Sequence, residues 1–121
     1  MALKTFENNI VDQKIIPGVF CDVYGTLLGF LGENVNSDVL ELLNKHEANG
    51  KAVTLWTGGE TKEAEEALES FGIRNWKVVS KYRFANSTVE IAIDDMEQEK
   101  FFKDYKIRAA TFIQRDWKLD E

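Results

Sequence analysis

Asp22, Tyr24, Thr57, Gly58, Lys81, Asp94 and Asp95 are the residues whose types and placement offer chemistry in this chain. They combine three carboxylates, a hydroxyl, a phenol and one ammonium. Carboxylate and carbonyl oxygens are the donors that a hard cation such as Mg²⁺ favours, whereas a site of Cys and His would suit other metals. Each cluster also has an ordinary structural explanation. Asp22 can serve as a turn residue, Thr57-Gly58 as a strand-to-helix turn, and Asp94-Asp95 as a helix N-cap. What sets them apart is their joint position, each cluster following a short apolar run.

Those runs define the elements that must position the chemistry. Ile15 to Cys21 reads as a first strand ending at Asp22. The segment Gly25 to Asn36 keeps apolar residues at Leu27, Leu28, Phe30 and Leu31 and is expected to be a folded flap. A helix is predicted over Ser37 to Ala48, capped by Asn36 or Ser37 and stopped by Gly50. Ala52 to Trp56 is an apolar run suited to a strand buried on both faces, and it leads into Thr57-Gly58-Gly59. A second helix is expected over Glu60 to Ser70, with Gly72 to stop it. Further strands are expected at Trp76 to Ser80, Val89 to Ile93 and Ala109 to Ile113, with a short helix over Glu97 to Tyr105. Residues 1 to 14 form an N-terminal extension in which Ile10 and Val11 suggest an added edge strand or hairpin. Alternating strands and helices predict an α/β domain with a parallel sheet, in which ligands bind at the carboxyl ends of the strands. Four polar clusters, Asp22 with Tyr24, Thr57-Gly58, Lys81 and Asp94-Asp95, fall at that edge.

The segment Val19-Phe20-Cys21-Asp22-Val23-Tyr24-Gly25-Thr26-Leu27 resembles the first motif of the haloacid-dehalogenase-like (HAD) superfamily, an apolar strand followed by Asp-x-Asp-Gly-Thr or a variant. Thr57, Lys81 and Asp94-Asp95 are similar to its later motifs, so the resemblance spans about residues 15 to 96. It implies a Rossmann-like three-layer domain without a cap, sheet order 3-2-1-4-5, and a magnesium-dependent phosphohydrolase working through an aspartyl-phosphate. By the same resemblance Asp22 is the nucleophile and a metal ligand, the Tyr24 carbonyl a second ligand and Asp94 a third. Asp95 shares that role or lies just outside it. Thr57 and the Gly58 N–H would hold phosphate oxygens, and Lys81 would offset the charge of nucleophile and phosphoryl group. Lys77 is the rival for that role, but it lies inside the predicted strand.

Tyr24 departs from the phosphatase form, which carries a second Asp there as general acid and base. A phenol, with an ordinary pKa near 10, is a poor base at neutral pH. The departure admits a second reading, a catalytically silent scaffold that binds phosphate, metal or a partner. The Asp-x-Tyr-Gly-Thr form is also similar to that of the 2-haloacid dehalogenases. Those place a helical cap with an Arg between the first two motifs, whereas the stretch from Asp22 to Thr57 here holds room for a flap and one helix and no Arg. A signalling receiver domain has its paired acids at the first strand and its Lys at the last, the reverse of the order here.

Composition sets the remaining bounds. With 121 residues, 44% hydrophobic and 30% charged, the chain is expected to form one domain with a real core. A formal charge of −6 leaves no basic footprint for nucleic acid or an anionic membrane; the partner that the resemblance implies is a phosphorylated substrate, large or small. Cys21 is the only cysteine and Met1 to Asn9 lacks the apolar stretch of a signal peptide, which predicts a reducing cytoplasm. No apolar run approaches the roughly 20 residues of a membrane span. His46 reads as a packed or half-exposed helix residue, Cys21 as a small buried hydrophobe, Trp56, Trp76 and Trp117 as core or rim, and the Glu60 to Glu69 charges as a solvated helix face.

Overall fold

The computed structural model describes residues 14–117. The strand or hairpin expected around Ile10 and Val11 lies outside the described residues. The elements run β1 (Ile15–Asp22), α1 (Ser37–Ala48), β2 (Val53–Thr57), α2 (Thr61–Glu69), β3 (Lys77–Ser80), a short 3-10 helix (Lys81–Phe84), β4 (Ser87–Asp94), α3 (Gln98–Tyr105) and β5 (Ile107–Gln114). The five strands form one sheet in the order β3-β2-β1-β4-β5, every pair parallel, as the resemblance implied. This is a Rossmann-like α/β fold.

Alternation along the strands divides the core in two. Val19, Cys21, Leu55, Ile91 and Ile93 face Val39 and Leu43 of α1 and Ala64 and Leu68 of α2. On the other face Phe20, Trp56 and Ala92 meet Phe101 of α3. There the Trp56 ring lies 5.1 to 5.7 Å from the rings of Phe20, Phe84 and Phe101. Two layers of helix thus enclose the sheet, and the aromatic residues pack tilted or edge-on, as ring quadrupoles favour.

Local chemistry sets several element ends. The Asn36 side chain accepts from the N–H groups of Asp38 and Val39 and caps α1. Gly50 and Gly72, with φ of 90° and 80°, follow α1 and α2 where the chain turns left-handed. Inside β1 the pairing with β4 shifts between Ile16 and Val19, where Pro17 lacks a donor and Gly18 adopts φ 109°. The sequence reading carried no sign of this bulge. β4 and β5 also extend beyond the expected Val89 to Ile93 and Ala109 to Ile113, because cross-strand pairing continues past the apolar runs.

The flap is folded as expected. Leu28 bridges to Tyr24 and Val35, and the Gly29 and Asn36 N–H groups donate to the carbonyls of Asn34 and Leu27. No helix among the described residues is long and apolar enough to cross a membrane.

Candidate functional site

Asp22 closes β1, Thr57 closes β2 and Asp94 closes β4, three adjacent strands whose carboxyl ends share one edge of the sheet. β3 lies beside β2 and delivers Lys81 as the first residue after its end. The short 3-10 helix that carries Lys81 was not predicted. Ser80 caps it by accepting from the Tyr82 N–H. Lys77 is an exposed strand residue away from this cluster.

The Lys81 ammonium sits 2.9 Å from Asp22 Oδ1 and 3.0 Å from Asp94 Oδ2, and all three side chains are 7% exposed or less. Its remaining surface faces the Tyr105 ring at 4.7 Å and the Phe101 ring at 5.4 Å. Asp94 Oδ1 accepts from the Met96 N–H at 3.0 Å. The Thr26 hydroxyl lies 3.0 Å from Asp22 Oδ2 and 3.4 Å from Asp95 Oδ1, so it links the first loop to the last. The chain after β5 ties the same two loops together: Arg115 N–H donates to the Asp94 carbonyl and Trp117 N–H to that of Gly25.

Oxygens of Asp22, Asp94 and Asp95 all lie within 4.8 Å of one another, close enough to share one metal ion. With all three carboxylates ionised, one ammonium offsets one of their charges, and the two that remain match a divalent cation. The pKa directions reflect this crowding. Burial drives the Asp22 carboxyl well above the usual carboxylate range, Asp94 adds to the rise and Lys81 opposes it. Asp94 is pushed up to about 6 by burial, again against the pull of Lys81. Burial alone would lower Lys81, but Asp22 and Asp94 outweigh it and hold the ammonium charged. Cys21 is fully buried, and burial together with Asp22 and Asp94 keeps its thiol protonated.

Above this floor opens a cavity of about 340 Å³, reached by Asp22, Tyr24, Thr57, Gly58, Lys81 and Asp95. Thr57 Oγ1 accepts from the Gly59 N–H at 3.1 Å, which leaves its own proton available to a ligand. In the first loop Leu28 N–H donates to the Val23 carbonyl and Gly25 N–H to that of Leu28; neither bond uses the Tyr24 carbonyl. The Tyr24 ring packs against the core beside Gly32, and burial, then Glu63, raises its phenol. It is therefore a proton donor at neutral pH and no base.

Every residue singled out in the sequence reaches this one cleft except Asp94, which forms its buried floor. Thr26, Phe30, Met96 and Tyr105 were missed as site residues. Thr26 stood in the motif without a role. The i, i+4 spacing of Phe101 and Tyr105 marks a shared helix face, but nothing local says that the face ends at the glycine loop. There the Tyr105 hydroxyl lies 2.6 Å from where a Cβ on residue 58 would be, so a larger residue would have to displace the Tyr105 side chain. Gly25 adopts φ 87°, which favours glycine, and a Cβ there would also meet the side chains of Phe30 at 2.7 Å and Asp95 at 3.1 Å. The chain matches no family model, no curated protein and no solved structure.

Proposed function

We propose that this protein is a magnesium-dependent phosphohydrolase of the HAD-like kind, acting on a phosphate ester through Asp22. The observation that carries the reading is the Lys81 ammonium bound between Asp22 and Asp94, with Asp95 close enough to share a metal ion with both. The donor set is all oxygen, which fits magnesium, and Asp22, Asp94, Asp95 and the Tyr24 carbonyl would hold it. Magnesium bound there supplies positive charge that lets a carboxylate and a phosphate approach each other.

The chain's own residues account for the rest. Thr57 and the Gly58 N–H orient the phosphoryl oxygens, and Lys81 balances charge on Asp22. The Asp22 carboxylate attacks phosphorus and forms an oxygen–phosphorus bond as the ester bond opposite breaks. The leaving oxygen takes a proton from solvent. Water then attacks the aspartyl-phosphate, which releases inorganic phosphate and restores the carboxylate.

Tyr24 limits that cycle. Its phenol, raised further by burial, cannot activate water, and the carboxylate it replaces typically contributes about 10² to 10⁴ in rate. Slow turnover follows. The same observation favours the second reading, a phosphate- and metal-binding scaffold. A 2-haloacid dehalogenase fits less well, because only the flap and α1 stand between Asp22 and the start of β2.

Hydrolysis of a panel of phosphate esters with and without Mg²⁺ decides between them. Slow, magnesium-dependent turnover is expected in the wild type, with a loss of at least about 10³-fold in Asp22→Asn. Tyr24→Asp should gain about tenfold. Undiminished turnover in Asp22→Asn would reject covalent catalysis at this residue. No turnover in either wild type or Tyr24→Asp, with Mg²⁺ still bound, would leave the scaffold.

A further inference from the structure

The cleft has two chemically different halves. Its floor, Asp22, Lys81, Asp95 and Thr57, holds the polar groups described above. Its walls are Phe30, Met96 and Tyr105, with Tyr82 tilted against Tyr105 at 5.4 Å between ring centres. Phe30 is 53% exposed, and its neighbour Leu31 is 89% exposed. Both belong to the flap tip, and Phe30 presents an apolar ring to the polar cleft. They are also held in place. The flap tip is closed by Gly32 N–H on the Gly29 carbonyl and Leu31 N–H on the Glu33 carboxylate, both at 2.9 Å, and the Phe30 ring rests on Gly25.

We infer that the substrate is a monoester in which the phosphate is carried by an aromatic ring, an inference that rests on the phosphohydrolase reading and specifies its substrate class. The phosphate meets the floor, and the ring lies between Phe30 and Tyr105, where tilted or offset contacts add to the burial of apolar surface. A sugar or polyol ester would place hydroxyl groups against those same apolar walls and lose their hydrogen bonds to water without replacement. A polyphosphate would meet a chain of net charge −6 around a floor already rich in carboxylate. The cavity of about 340 Å³ is at the small end of the roughly 300 to 1,000 Å³ usual for small ligands, which suits a phosphate with one ring.

The test is calorimetric titration of the full chain, with Mg²⁺ present, by phenylphosphonate and by methylphosphonate, two analogues that cannot be hydrolysed at the ester position. Phenylphosphonate is expected to bind about tenfold more tightly or better. Phe30→Ala should narrow that ratio and Phe30→Tyr should keep it, whatever either does to absolute affinity; Phe30 is a surface residue, and circular dichroism verifies the fold. Equal binding of the two phosphonates, or a ratio unmoved by Phe30→Ala, overturns the aromatic inference and leaves the phosphohydrolase reading intact. Binding of neither overturns both. A phosphotyrosine peptide run alongside distinguishes the source of the ring. Tighter binding of the peptide than of phenylphosphonate points to a protein-borne ester and weaker binding to a free one, and either supports the shared aryl phosphate.

Discussion

Two lysine–carboxylate contacts mark the two ends of the sheet, and they differ in burial and in balance. Near the N-terminal edge, Lys51 pairs with Glu90 at 2.5 Å, with the side chains 36% and 31% exposed. Glu90 also accepts the Gly18 N–H at 2.8 Å, so one carboxylate staples the β1 bulge to the loop before β2. Charge there is matched one to one and wet. At the carboxyl edge a buried Lys81 faces two buried carboxylates, with Asp95 beside them. The same two functional groups thus serve as a clip at one end and as a crowded buried cluster at the other. Excess buried charge is costly unless something compensates it, and the three aspartates of the second end are close enough to share a metal ion.

Removing each lysine separates the two. Lys81→Met strips the paired ammonium from buried Asp22 and Asp94 and is expected to cost about 3 to 5 kcal/mol at neutral pH, measured by urea unfolding. Lys51→Met should cost at most about 1 kcal/mol, as an exposed pair does. Similar losses in the two variants would erase the contrast. The smallest effect is expected at Glu90, whose pKa is lowered, chiefly by the Gly18 N–H and then by Lys51. A carboxyl with a depressed folded-state pKa contributes stability that is present above its ordinary pKa, near 4.3, and is lost as pH falls through the folded value. Glu90→Gln should therefore be less stable than wild type at pH 7, with the difference closing in strong acid. A gap independent of pH would mean that the charge of Glu90 plays no part.

Legibility in the sequence followed the same division. The strand ends at Asp22 and Asp94 were readable because an apolar run stops at a charged residue, and Asn36, Gly50 and Gly72 marked helix ends through local chemistry. These signals lie within a few residues of what they determine. What escaped depends on distant contacts. The β1 bulge is set by Glu90 and Ala52 across neighbouring strands, since a Cβ at residue 18 would sit 2.8 Å from the Ala52 carbonyl oxygen. Tyr105 reaches Gly58 only because α3 crosses the face on which β2 ends. Similarly, Thr26 was visible as a motif residue, but its contacts to Asp22 and Asp95 exist only once β1 and β4 are paired.

A carboxyl edge that binds a divalent cation through its aspartates should make the thermal midpoint depend on Mg²⁺. At about 100 times its dissociation constant, a ligand specific for the native state adds about 2.7 kcal/mol. The wild type should therefore melt at clearly higher temperature in MgCl₂ than in NaCl of equal ionic strength. The double variant Asp22→Asn/Asp95→Asn retains the Lys81–Asp94 pair and should show no such shift. A rise of the same size in both proteins would contradict a metal site at these aspartates.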